Sequence, residues 1–293
     1  MKRMKVTFIG LGIMGSRMAE NLLKFKVDLT VFNRSAAPVK KLEEKGAKAA
    51  TSYQEAVKNA DIVFTMLARP EAVEEVMLEE NGGLSNMKKN ALWVDCSTVN
   101  PSFTEKAAAI AHKKNIRFLD APVAGTKPTA ANAELVFFVG GAEKDLKEAE
   151  SLLNFMGKKI MHIGETGKGS AFKMLVNAQL AQSMLIFAET LLLGEKMGIQ
   201  KNFLLDTLPN LAVSAPFTKM KAELIRENDY EAQFPLELMH KDLHLAALTA
   251  YENDQPLYLA NLAKELFGDA KNAGLGRYDF SAIYHFLEGK SKK

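Results

Sequence analysis

Lys173 and Asn177 stand four residues apart in Gly169-Ser170-Ala171-Phe172-Lys173-Met174-Leu175-Val176-Asn177, and on a helix that spacing places both on one face. An ammonium beside an amide can grip an oxygen that gains charge. When hydride reduces a carbonyl, the oxygen becomes an alkoxide that needs a proton, and a lysine can both stabilise the charge and supply the proton. A lysine snorkelling from a helix near a domain boundary has the same spacing, so both readings stay open on spacing alone.

A second group of residues could hold a nucleotide. Val6-Thr7-Phe8-Ile9 reads as a short buried strand, runs into Gly10-Leu11-Gly12-Ile13-Met14-Gly15, and continues into a helix from Ser16. Gly10 permits the tight turn, Gly12 lets the backbone approach a pyrophosphate, Gly15 lets helix and strand pack closely, and the helix N-terminus faces the anion. The next strand, Leu29-Thr30-Val31-Phe32, ends at Asn33-Arg34-Ser35. That end lies about twenty residues past the glycines, where an acid suits the ribose of NAD and an arginine suits the 2′-phosphate of NADP. Asn33 stands in the acid's place, Arg34 can meet phosphate oxygens bidentately, and Ser35 adds a hydroxyl, so the strand end favours NADP(H) over NAD(H).

Other clusters carry weaker chemistry. Asp120-Ala121-Pro122-Val123-Ala124-Gly125-Thr126 is either an anion nest, whose small residues leave N–H groups open to a carboxylate, or an ordinary turn. Lys241-Asp242-Leu243, on a helix with apolar Leu236, Leu238, Met239 and Leu245, reads as a surface ion pair. His240 and His244 are i, i+4 but have no evident third ligand, so no metal is expected. There is no Gly-x-Ser-x-Gly elbow. The single cysteine, Cys96, ends the apolar run Leu92-Trp93-Val94-Asp95 and reads as a structural thiol.

These groups need a scaffold. Strand patterns at 5–10, 28–33, 61–67, 91–96, 116–119, 135–140 and 159–163 alternate with helical patterns at 14–25, 37–45, 53–59, 70–79, 101–114 and 143–155. Such alternation implies a largely parallel sheet covered on both faces. After Gly164 it stops. Helical patterns follow at 167–197, 201–208, 216–226, 235–252, 256–273 and 279–287, broken by Pro209, Pro216, Pro235, Pro256 and glycines. The expected architecture is an α/β Rossmann domain over 1–163 followed by an all-α domain over 164–293, built around a long helix. Phe172 to Leu193 is apolar on most of its circumference, but Lys173, Asn177, Gln179, Gln182 and Glu189 argue against a membrane span.

A length of 293 residues fits two domains, and an apolar share of 47% with a charged share of 25% is ordinary for a soluble globular protein. A net charge of +3 is too small and dispersed to indicate a nucleic-acid binder. The basic start Met1-Lys2-Arg3-Met4-Lys5 leads straight into the first strand, so a cytoplasmic location is expected, and the tail Gly289-Lys290-Ser291-Lys292-Lys293 is expected to fray.

Taken together, the segments resemble the β-hydroxyacid dehydrogenase family, over nearly the whole chain and in the family's order. Gly10 to Gly15, with Met18-Ala19 and Asn21-Leu22, resembles its cofactor motif, and Asp120-Ala121-Pro122-Val123-Ala124-Gly125 its substrate motif. Gly167-x-Gly169-x-x-x-Lys173-x-x-x-Asn177 resembles its catalytic motif, and Lys241-Asp242-Leu243 its last motif. The resemblance implies that Lys173 is catalytic and that Asn177 helps hold Lys173 and the substrate. It implies that Val123, Ala124 and Gly125 receive the substrate carboxylate. Leu67 and Ala68 then lie along the cofactor, Thr98 lies near the nicotinamide, and Lys241 reaches the cofactor region. It further implies a homodimer or tetramer formed through the helical domain.

Two departures matter. The substrate motif commonly continues Val-Ser-Gly-Gly, and here it is Val123-Ala124-Gly125-Thr126, which loses a hydroxyl. The Asn33-Arg34-Ser35 end is similar to that of the NADPH-using reductases. The expected reaction is therefore NADPH-dependent reduction of a small aldehyde acid, glyoxylate or succinic semialdehyde, to the hydroxy acid. The alternatives are 3-hydroxyisobutyrate dehydrogenase and tartronate semialdehyde reductase. Lys173 argues against imine reduction and against a non-catalytic nucleotide-binding protein. Phe217 and Phe234 either line a substrate pocket or pack in the core.

Overall fold

The computed structural model describes residues 4–291. Residues 1–3, 292 and 293, which hold most of the basic start and the end of the tail, lie outside the described residues. Gly289 belongs to the last helix, Ile283–Ser291. The chain divides into two compact units after Lys173, inside the long helix and later than the expected boundary at 163.

Nine strands build the sheet of the first unit: β1 (Lys5–Ile9), β2 (Asp28–Phe32), β3 (Lys48–Ala49), β4 (Ile62–Thr65), β5 (Leu92–Asp95), β6 (Arg117–Asp120), β7 (Val123–Ala124), β8 (Leu135–Gly141) and β9 (Gly157–Gly164). Their order is β3-β2-β1-β4-β5-β6-β8-β7, with β9 also paired to β8. From β3 to β6 all pairings are parallel. Successive units build outward from β1 to β3, then resume on the other side at β4, so the order reverses between β1 and β4. In such sheets ligands bind at that reversal, beyond the carboxyl ends of the strands.

Alternation along the strands feeds two cores. On β4, Ile62 and Phe64 join one cluster with Met18 and Leu22 of helix Gly15–Lys24 and Leu152 and Met156 of helix Glu143–Met156. Val63 points the other way, into a cluster with Trp93, Phe118 and Ala107 and Ala111 of helix Pro101–Lys113. Each fully buried Leu or Phe contributes roughly 1.5–3 kcal/mol, so neither face can be uncovered cheaply.

The far edge departs from an all-parallel sheet. β6 and β7 lie end to end along β8 in one antiparallel register, Leu119↔Gly141 and Asp120↔Gly140, then Val123↔Phe137 and Ala124↔Val136. The break falls at Ala121-Pro122, where proline has no N–H to donate, though its carbonyl still accepts from Phe138 N at 2.9 Å. Only the short helix Lys127–Ala131 separates β7 from β8, too little chain for a parallel crossover.

In the second unit, helices Lys201–Thr207, Thr218–Glu227, Leu236–Glu252, Tyr258–Ala270 and Ile283–Ser291 and the remainder of helix Lys168–Lys196 form the all-α part. Met184, Leu191, Met239, Leu243, Phe267 and Tyr284 sit in its core. Within it Lys221 and Asp279, 1% and 0% exposed at their side chains, pair at 2.8 Å. Asp279 also accepts from the backbone of Gln233, Phe234 and Ser281 and from the Ser281 hydroxyl, pinning the loop before helix Leu236–Glu252.

Polar side chains also lie inside the sheet. Asp95 Oδ1 accepts from the Thr65 hydroxyl at 2.8 Å and from Ser97 N at 3.0 Å, and Trp93 Nε1 donates to Thr65 Oγ1 at 2.8 Å. Burial pushes the Asp95 carboxyl above its ordinary range, partly offset by the Ser97 and Thr65 bonds, with neighbouring Asp120 adding to the rise. The native state then holds this proton to higher pH than the unfolded chain, so the contribution is fully present below the unfolded pKa and is lost as pH rises through the folded one. Asp95→Asn, which cannot ionise, should gain stability relative to wild type as pH rises above the unfolded carboxylate pKa of about 4, by roughly 2–4 °C in Tm per kcal/mol. Thermal unfolding across a pH series checks this, and a gap that stays constant with pH would sink it.

Candidate active site

The glycine turn follows β1. Gly10 has φ +94°, and a Cβ there would strike the Met66 carbonyl, while one at Gly15 would strike the Gly10 carbonyl. Both positions therefore exclude any side chain. Gly12 differs, because a Cβ there would meet nothing within 4 Å, so its backbone lies open to a ligand. Helix Gly15–Lys24 begins just beyond it, and the first N–H groups of a helix lack partners within the helix. Open backbone beside a helix N-terminus fits the pyrophosphate of a dinucleotide.

Asn33, at the end of β2, ties this turn to the next loop. Its Oδ1 accepts from Leu11 N at 2.9 Å, and its Nδ2 donates to Ser35 Oγ at 2.8 Å. Arg34 between them is exposed and forms no ion pair among the described residues. Leu67 and Ala68 follow β4, and Ser97 and Thr98 follow β5, so they share the carboxyl edge of the sheet with Gly10. Leu67 N donates to Ser97 Oγ at 2.9 Å, which joins the two loops. Sequence reasoning did not find Asp95, whose bonds fix that edge, because a single acid at a strand end carries no distinguishing pattern.

The 120–126 segment is not a simple turn but the passage from β6 to β7. Phe138 N bonds the Pro122 carbonyl, so by antiparallel alternation the N–H groups of Val123 and Gly125 point away from β8. Those two can face a carboxylate. Thr126, where the family commonly has glycine, closes a capping box on helix Lys127–Ala131, and its N–H is taken by Thr129 Oγ1 at 2.6 Å.

Asp120 opens this segment and is 1% exposed. Its Oδ1 accepts from Gly167 N and its Oδ2 from Ser170 N, both at 2.8 Å. The Ser170 hydroxyl lies 2.9 Å from Thr104 Oγ1. Gly169 has to be glycine, because a Cβ there would strike the Phe138 carbonyl and come within 2.9 Å of Asp120 Oδ2. The glycines of Gly167-x-Gly169 thus seat the first turn of helix Lys168–Lys196 on the sheet edge, and Lys173 follows one turn later at 8% exposure.

In the second unit, Asn177 is fully buried and its Nδ2 donates to Asp242 Oδ2 at 2.6 Å. A carboxylate only accepts, so it fixes the amide with Oδ1 turned away, and Asn177 Oδ1 has no protein partner. The end of the amide left without a partner is therefore an acceptor, suited to a donor rather than to an oxyanion. Asp242 is 2% exposed, so Lys241-Asp242 is not a surface ion pair. Lys241 Nζ lies 2.8 Å from Asp242 Oδ1 without hydrogen-bond geometry. Phe217 and Phe234 both pack against the helical core. Among the described residues no group of three His, Cys, Asp or Glu is arranged to hold a metal.

Comparison with known proteins agrees in both units. The profile for the NAD binding domain of 6-phosphogluconate dehydrogenase matches residues 5–164, and that for the NAD-binding region of NADP-dependent 3-hydroxyisobutyrate dehydrogenase matches residues 167–287. Glyoxylate/succinic semialdehyde reductase 2, chloroplastic, of Arabidopsis thaliana is 35% identical, covering 98% of this chain and 80% of its own. The 2-(hydroxymethyl)glutarate dehydrogenase of Eubacterium barkeri is 36% identical, covering 98% and 96%. The structure of Mycobacterium tuberculosis 3-hydroxyisobutyrate dehydrogenase with L-serine matches at TM-score 0.88 and 30% identity, covering 98% and 99%. With two profiles that together span most of its length and relatives at 35% and 36% identity matched over 98% of it, the chain belongs to the β-hydroxyacid dehydrogenase family and is an oxidoreductase acting on CH–OH groups.

Proposed function

We propose that the chain uses NADPH to reduce a small aldehyde acid, glyoxylate or succinic semialdehyde, to the corresponding hydroxy acid. The observation that carries the chemistry is a buried cation, Lys173, one helical turn before a buried amide whose oxygen is left to accept. When bound, the nicotinamide supplies hydride to the carbonyl carbon. Lys173 Nζ holds the proton that the carbonyl oxygen takes up. Asn177 Oδ1 is left without a protein partner and can accept from a ligand, and Asp242 keeps the amide from flipping. The N–H groups of Val123 and Gly125 receive the substrate carboxylate. The relatives named as glyoxylate/succinic semialdehyde reductases support this substrate class.

The choice of NADPH rests on the end of β2. Asn33 brings no charge to repel a 2′-phosphate, and Arg34 is exposed without an acidic partner. Oxidation of 3-hydroxyisobutyrate with NAD would favour an acid at position 33. Arg34→Ala should raise the KM for NADPH by about 10- to 100-fold, the worth of a charged hydrogen bond, and leave that for NADH nearly unchanged. Absorbance assays with both cofactors check this, and a wild type that prefers NADH would exclude the phosphate role.

Lys173→Ala should lower kcat by about 10²- to 10⁴-fold with glyoxylate or succinic semialdehyde while NADPH still binds, as followed by its fluorescence. Equal kcat in the two proteins would remove Lys173 from proton transfer.

We also propose a homodimer or tetramer formed through the helical unit. Tyr251, Tyr258, Leu259 and Leu262, on the packed helices Leu236–Glu252 and Tyr258–Ala270, are 85%, 83%, 67% and 59% exposed. That is a large apolar area to leave in water. Light scattering should give a mass at least twice that of one chain, reduced by Tyr258→Asp with Leu259→Asp, whereas a monomeric wild type would contradict it.

A further inference from the structure

We infer that Asp120 is a positioning residue that sets the placement of Lys173 relative to the substrate turn, an inference that rests on the assignment of Lys173 as the proton donor. One carboxylate belongs to both parts of the site. It is the last residue of β6, three before Val123, and it accepts the Gly167 and Ser170 N–H groups, which open the helix that carries Lys173. The helix start and the carboxylate-binding N–H groups are therefore referenced to the same side chain. No other group can take over, because the space around it is filled: a Cβ at Gly140 would lie 2.5 Å from Asp120 Oδ1, and one at Gly169 would lie 2.9 Å from Oδ2.

A negative charge at the N-terminus of a 29-residue helix also has favourable electrostatics, since the first-turn N–H groups carry partial positive charge. Burial raises the carboxyl against the lowering effect of those N–H bonds, so its hydrogen bonds hold it where solvation does not. Neighbouring titratable groups bear on it as well: Asp95 pairs with it directly across β5 and β6, and Glu105 of helix Pro101–Lys113 lies beside Gly167.

The residue acts through Lys173, so loss of stability alone does not test it. Asp120→Asn keeps the size and one acceptor oxygen but turns an NH2 group toward one of the two N–H donors. Asp120→Ser, smaller and neutral, is the second variant should the first fail to fold. Thr104→Val, which removes the hydroxyl pair with Ser170 but leaves both N–H bonds to Asp120 in place, is the control. The measurements are kcat and KM with NADPH and succinic semialdehyde, Tm, and amide hydrogen exchange of a peptide covering 165–176. A misplacement of about 1 Å can cost about a hundredfold in rate. The expected result for Asp120→Asn is a 10- to 100-fold fall in kcat, KM for NADPH within about twofold, and faster exchange confined to 165–176. Unchanged kcat with unchanged exchange would overturn the inference, and so would exchange accelerated across the whole first unit, which would make Asp120 a determinant of the fold alone. If the wild type reduces no aldehyde acid, the proposed reaction fails, while the exchange experiment still decides whether Asp120 holds the helix start.

Discussion

Backbone packed against backbone is the constraint on which the site depends. At Gly10 and Gly15 the β1 turn and its helix approach too closely for any side chain, and at Gly169 the first turn of the long helix meets the backbone of β8 in the same way. These contacts bring polar main-chain groups to the carboxyl edge of the sheet. Buried polar groups must be paired, so the edge is also where the polar side chains concentrate. Asp95, Asp120 and Asn33 each answer backbone N–H groups that the tight turns leave without a strand or helix partner.

The two cations assigned to function differ in solvation, and that difference separates their tasks. Arg34 is exposed, keeps its water, and forms no ion pair among the described residues. An exposed guanidinium is always charged and can exchange water for phosphate oxygens without reorganising the core. Lys173 is buried, and a buried ammonium has exchanged most of its hydration for protein surroundings. One side chain is suited to holding an anion and the other to giving up a proton.

Much of the fold was legible in the sequence because each signal was local. Hydrophobic runs bounded by turn residues placed seven of the strands to within a few residues, and the helices after Gly164 followed their proline and glycine breaks. β3 and β7, two residues each, were not legible, since so short a strand is defined by its neighbour rather than by its own pattern. The antiparallel edge was missed for the same reason: Pro122 interrupts β6 and β7, and only their shared register on β8 shows that they form one line. At the cofactor turn, the tight positions Gly10 and Gly15 and the open Gly12 were readable from residue type, whereas the reading of Lys173 came from the resemblance and not from its spacing. The roles of Asp120 and Asp242 were not readable, because each acts on a partner 47 to 65 residues away in sequence.

Asn177 shows why residue type and spacing stop short of chemistry. An amide can present either a donor or an acceptor, and the two ends serve opposite charges. Spacing from Lys173 places the group but leaves its rotation undecided. Asp242 decides it, and does so from a helix that begins at Leu236, far along the chain. With Nδ2 committed, Oδ1 is the end left to a ligand, and it suits a donor rather than an alkoxide. In the proposed reaction, charge stabilisation in the transition state therefore falls to Lys173 and not to this amide.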